Sequence, residues 1–194
     1  WALEKRGVQL LEGHSLVERA RSIKNDEEVE LMRAVMEVAN RGMMEMYDML
    51  EPGVTENALW ARLHHTNMIH GGEWAETKLL TSGHRTNPWF RNCSHKPVGD
   101  GEFVSFDTDM VGPNGYLADV SRTFYCGTKP PSNEQRRLYG IAYNELHYNL
   151  SQVKPGLSFR DYAEQCREPD PEYFPNRYGL VMHGAGMVDE YPIV

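Results

Sequence analysis

Three cysteines, Cys93, Cys126 and Cys166, are all the thiols in this chain of 194 residues, and no two of them form a CxxC pair. An odd number in unrelated contexts argues against a disulfide framework and a thiolate zinc site, and fits reduced thiols in a cytosolic protein. Long apolar runs are also missing, so no segment is a candidate membrane span. The opening Trp1-Ala2-Leu3-Glu4-Lys5-Arg6 has neither an initiator Met nor a signal-peptide core. Basic clusters are absent as well. Twenty Lys and Arg against 28 Asp and Glu leave a formal charge of -8, which offers a phosphate backbone little to bind. Nucleic acid and membrane are therefore set aside as partners. The remaining composition, 40% hydrophobic and 25% charged, suits one globular domain with a substantial core and not a disordered or fibrous chain.

Residues 1–24 are polar and basic and read as a connector from an upstream domain, with Asn25-Asp26 placed to cap the helix that follows. From Asp26 to Leu50 the apolar residues, many of them Met, recur at helical spacing until Pro52-Gly53 stops the run. The Met stripe reads as core. A second helical stretch opens at Ser132-Asn133, runs through Leu138, Ile141, Leu146 and Leu150, and stops at Pro155-Gly156. The two helix-Pro-Gly-helix units predict a domain built from two related halves, although Pro-Gly after a helix is also common punctuation. Between them, Phe103–Phe106 and Leu117–Tyr125 are rich in β-branched and aromatic residues around Gly112-Pro113-Asn114-Gly115, which predicts a β-hairpin.

That hairpin carries Asp107, Asp109 and Asp119 in apolar surroundings where ionised carboxylates are costly without a partner, and a shared cation would offset the cost. Asp107 and Asp109 are two apart and share a strand face. A four-residue loop would set Asp119 opposite Thr108, on the wrong face, so the hairpin needs an odd loop or a bulge, for which Gly112 and Gly115 are suited. The second informative stretch is Tyr178-Gly-Leu-Val-Met-His183-Gly-Ala-Gly186-Met-Val-Asp189-Glu190-Tyr-Pro192. A lone His in an apolar strand is usually a satisfied core residue, but here a Gly-x-Gly follows that permits close approach of backbone or ligand. One imidazole with two or three carboxylates makes an oxygen-rich site suited to iron, manganese or zinc.

These two blocks, with Asp26-Glu-Glu-Val-Glu-Leu-Met-Arg33 and the Pro52-Gly53-Val54-Thr55-Glu56 turn, resemble the superfamily of methionine aminopeptidase, aminopeptidase P, prolidase and creatinase over nearly the whole chain. The resemblance implies an α+β "pita-bread" domain over residues 25–194 with two related halves. It also implies metal held by hairpin aspartates, by the His of the His-Gly-x-Gly strand and by two later glutamates. The first three map onto Asp107 or Asp109, Asp119 and His183. The two glutamates would lie beyond Val194, so the chain reads as truncated at its carboxyl end and as inactive by itself.

The departures from the peptidase pattern carry the functional expectation. Asp109 stands ten residues before Asp119 and Asp107 twelve, one to either side of the peptidase spacing, so a residue is inserted and a carboxylate added. The position of one proton-handling His of the hydrolases falls on Phe90 by ungapped counting, with His95 close but out of register. The setting of the other reads Asp189-Glu190-Tyr191-Pro192. The combination resembles the dimethylsulfoniopropionate lyases built on this fold. That implies β-elimination of a sulfonium substrate to dimethyl sulfide and acrylate, an iron, manganese or zinc cofactor with iron foremost, and a homodimer. Asp189 is the candidate base, Asp107, Asp109, Asp119 and His183 the candidate metal ligands, and Tyr178 the candidate substrate contact. Trp89 is a candidate face for the sulfonium, with core packing the alternative for both aromatics. The competing readings are an Xaa-Pro-type metallopeptidase and a non-catalytic binding module.

Overall fold

The computed structural model describes residues 1–194. Its first half rests on two packed helices, α2 (Asp26–Asp48) and α3 (Glu56–Ile69), preceded by a short α1 (His14–Arg21). Asn25 and Glu28 form the expected cap reciprocally: the Asn25 side chain accepts from the Glu28 amide, and the Glu28 carboxylate accepts from the Asn25 amide. Asp26, Glu27 and Glu28 in the first turn further suit the positive end of the helix. Val35, Ala39, Met43 and Met46 bury one face of α2, so the Met stripe is core along that line, while Met44 on another face and Met49 just past the helix end stay exposed. Gly42 sets how close α3 can come, because a Cβ there would stand 2.7 Å from Leu63 Cδ1.

Two three-stranded antiparallel sheets complete the core. One orders β1 (Trp74–Ala75), β4 (Met110–Val111) and β5 (Leu117–Ala118) as β1-β4-β5. The other orders β2 (Leu80–Ser82), β3 (Glu102–Asp107) and β6 (Ser121–Cys126) as β2-β3-β6. Phe106, Val104, Leu80, Met110 and Ala118 pack against α2 and α3 residues in a single buried cluster. The predicted hairpin is therefore real but broken in the middle, with each of its strands split between the two sheets.

The second helical unit, α4 (Asn133–Gln152) and α5 (Phe159–Gln165), repeats the first in its punctuation. Ser132 and Gln135 form a second capping box. Gly53 and Gly156, at φ 100° and 84°, turn the chain after the helix in both units, a conformation glycine adopts without steric cost. Packing is where the two units differ: α4 buries no residue, and Leu138, Leu146 and Leu150 remain exposed. The last elements, β7 (His183–Ala185) and β8 (Asp189–Ile193), pair with each other as an antiparallel ribbon. A backbone hydrogen bond of 2.7 Å from the Leu117 amide to the Gly186 carbonyl docks this ribbon on β5. No helix is long and apolar enough to cross a membrane.

Candidate metal centre

The break in the hairpin is what builds the site. Val111 pairs with Leu117, so the loop holds five residues, 112–116, the odd length the aspartate positions require. The same register continues across the break, from Met110 opposite Ala118 to Asp107 opposite Ser121, which sets Asp109 against Asp119. At the break one backbone bond remains, from the Thr108 amide to the Val120 carbonyl at 3.3 Å, and the Thr108 hydroxyl stands in for the rest of the ladder: it donates to the Ala118 carbonyl and accepts from the Val120 amide at 3.0 Å. Asp109 sits there at φ 35°, a left-handed conformation uncommon outside glycine and more accessible to Asp than to most residues. Thr77 donates to Asp109 Oδ2 at 2.6 Å and fixes its carboxylate. One oxygen of each of Asp107, Asp109 and Asp119 then lies within 4.8 Å of the others.

The ribbon brings the imidazole. His183 Nε2 is 3.0 Å from Asp119 Oδ2, and His183 Nδ1 lies 2.9 Å from the carbonyl of Gly184 and 3.9 Å from Asp189 Oδ1. A proton on Nδ1, donated to that carbonyl, leaves Nε2 as the nitrogen that faces the aspartates, the usual arrangement of a metal-ligating His. The Gly-x-Gly serves backbone approach: a Cβ on Gly184 would stand 2.5 Å from the Tyr191 carbonyl oxygen, and one on Gly186 would collide with the Glu190 carboxylate. Asp119, His183 and Asp189 thus form a second group within 4.8 Å that shares Asp119 with the first.

The electrostatics fit a cation. Burial, reinforced by Asp119 beside it, pushes the Asp107 carboxyl up to about 7. Burial also raises Asp109 and Asp119. For His183 burial works the other way, but the Gly184 carbonyl and the surrounding carboxylates outweigh it and hold the imidazole above its ordinary value. Asp107 Oδ1 is buried with no hydrogen-bond partner, an arrangement that costs free energy unless a cation takes the lone pair. A donor set of three carboxylates and one imidazole suits iron, manganese or zinc.

A cleft of about 910 Å³ opens onto Asp107, Asp119 and His183 and is walled by Trp89, Phe90 and Tyr178. The Phe90 and Tyr178 rings are 5.6 Å apart and the Trp89 and Phe90 rings 6.4 Å. Phe90 is held at φ 64°, an outlier for a bulky side chain of the kind that gathers at functional sites. His95 stands away from the cleft, against Asn57. The tyrosine hydroxyl is raised by burial and then by Asp189, Asp119, Asp107 and Asp109. The structure thus brings Asp107, Asp109, Asp119, His183 and Asp189 together, with Trp89, Phe90 and Tyr178 along the adjoining cleft, and leaves His95 outside. Thr77 and Thr108 were not foreseen, because hydroxyl residues in loops and strands carry no distinguishing pattern.

The model of metallopeptidase family M24 matches residues 30–194. Two curated relatives match all of the chain: "Dimethylsulfoniopropionate lyase DddP" of Roseovarius nubinhibens at 35% identity and its namesake of Roseobacter denitrificans at 36%. The chain spans 44% of the length of each. Among solved structures, an X-Pro aminopeptidase from Thermotoga maritima superimposes with a TM-score of 0.83 at 26% identity, over 92% of this chain and 51% of that one.

Proposed function

Since this chain belongs to metallopeptidase family M24, we propose that it is the metal-binding part of a lyase that cleaves dimethylsulfoniopropionate to dimethyl sulfide and acrylate. The observation that carries the reading is Asp189, a half-exposed carboxylate 3.9 Å from the imidazole of His183, in the neighbourhood where the hydrolases would place a proton-handling His. The likeness to two lyases along the whole chain supports it. Residues 1–24 connect to an upstream domain in this reading, two downstream glutamates complete the ligand set, and the assembled enzyme is a cytoplasmic homodimer.

The reaction asks little of water and much of a base. Asp189 takes the proton α to the substrate carboxylate. The electron pair left on that carbon forms the double bond of acrylate as the β-carbon–sulfur bond breaks, and dimethyl sulfide leaves with the other pair. Asp107, Asp109, Asp119 and His183 would hold the metal, iron foremost, whose charge would anchor the substrate carboxylate and favour loss of the α proton. Tyr178 lies near enough to the carboxylates to feel their charge and positions the substrate from the open side. The rings of Trp89, Phe90 and Tyr178 present π faces to the sulfonium cation. Phe90 has no proton to exchange, in keeping with an elimination that needs no activated water.

The test uses a parent protein that carries the downstream glutamates. Sulfide release from dimethylsulfoniopropionate, read in the headspace, is expected without hydrolysis of Xaa-Pro dipeptides. Dipeptide hydrolysis without sulfide would establish the peptidase reading, and neither activity in a metal-loaded sample would favour the binding module.

A further inference from the structure

Glu190 is the next residue after the proposed base, and its side chain is fully buried between two cations. Lys24 Nζ donates a hydrogen bond to Oε1, and Arg21 Nε stands 2.7 Å from Oε2 as an ion pair without hydrogen-bond geometry. Arg21 also bonds Glu18, whose other oxygen accepts from the Tyr191 amide at 2.9 Å. Both cations belong to the end of α1 and the turn into α2, a stretch that reads as a mere connector in the sequence. Neighbouring strand residues point to opposite faces, so anchoring Glu190 on one face aims Asp189 at the other, toward His183. Glu190 is also the strand partner of Gly184, and a Cβ on Gly186 would run into the Glu190 carboxylate and Lys24 Cε. The clamp therefore grips the same turn of the ribbon that holds the imidazole.

We infer that Glu190, clamped by Arg21 and Lys24, is a positioning residue that sets the reach of Asp189 and His183 into the site, so that the α1–α2 junction belongs to the catalytic machinery. A buried carboxylate with two cations is costly to assemble and costly to break, whereas an apolar ribbon core would hold the strands together without any of the three charges. What the charges add is a fixed orientation. The inference rests on the proposed lyase reading for its rate measurement but not for its structural one.

The experiment compares Glu190→Gln, Lys24→Met and Lys24→Arg in the parent protein loaded with iron, well below the unfolding temperature of each variant. Loss of the clamp should lower kcat roughly 10- to 100-fold, as loss of supporting groups does at metal sites, with KM held within about threefold and Lys24→Arg retaining most of the rate. Wild-type kcat in folded Glu190→Gln and Lys24→Met would overturn the inference, as would equal losses in Lys24→Arg and Lys24→Met. Amide exchange supplies a readout independent of the reaction. His183 to Tyr191 should exchange at least about tenfold faster in Glu190→Gln while α2 and α3 are unchanged, since local opening is separable from global unfolding. Unchanged exchange along the ribbon would overturn the inference even if no lyase activity were found. If Glu190→Gln fails to fold, the pair of Lys24 variants carries the same comparison.

Discussion

Asp119 and Asp189 both approach the imidazole of His183, at 3.0 and 3.9 Å, yet their surroundings assign them different work. Asp119 is mostly buried and shares the hairpin group with Asp107 and Asp109, whereas half of the Asp189 side chain is open to solvent. Asp119→Ala is therefore expected to lose metal and turnover together. Asp189→Ala should keep its metal and lose roughly 100- to 10,000-fold in sulfide release, the range expected for removal of a general base. Metal analysis beside headspace sulfide separates the two, and full activity in Asp189→Ala would move the base elsewhere, with Tyr178 next to test. These residues were legible in the sequence because carboxylates in apolar strands and a His before Gly-x-Gly are chemically conspicuous. Thr77 was not. Its hydroxyl matters only through the 2.6 Å bond to Asp109, and that bond exists because β1 and β4 pair beside it.

At the scale of elements, the sequence foretold the paired helix-Pro-Gly-helix units and the odd hairpin loop, since both follow from local punctuation and side-chain alternation. The break in the hairpin was invisible because the Thr108 side chain imitates a backbone group, accepting from Val120 and donating to Ala118. Thr108→Val keeps the shape and removes both bonds, leaving the partly buried Val120 amide and the buried Ala118 carbonyl without that partner. The expected cost is about 1–3 kcal/mol, read by denaturant unfolding, with weakened metal binding because Asp109 and Asp119 flank the break. Unaltered stability in this variant would mean that the ladder closes without the hydroxyl. Exposure of the α4 stripe could not be read from periodicity either, since an apolar face records that something covers it and not which segment does.

For the molecule as a whole, metal, protons and stability should be linked. Asp107 is held up at about 7 in the folded chain, whereas an aspartate in an unfolded chain titrates near roughly 4. The folded state thus binds this proton more tightly. Its contribution to stability is fully present below about pH 4 and is lost as pH rises through about 7. The raised imidazole of His183 acts in the same direction, its contribution fading as pH rises through its elevated value. A metal ion reverses the trend, since it takes the deprotonated forms of both groups and stabilises only the folded state. In a parent protein stripped by chelator, the unfolding temperature is therefore expected to fall between pH 5 and about 8 from these groups, and saturating Mn(II) should flatten or invert that slope. Metal affinity itself should weaken as pH drops below about 7, where protons compete for Asp107. The 194-residue chain, lacking the two expected glutamates, should show the first slope and only weak relief by Mn(II). Parallel slopes with and without metal in the parent would show that Asp107 and His183 do not share a cation, and stoichiometric, chelator-resistant metal in the shorter chain would show that these four residues suffice to hold one.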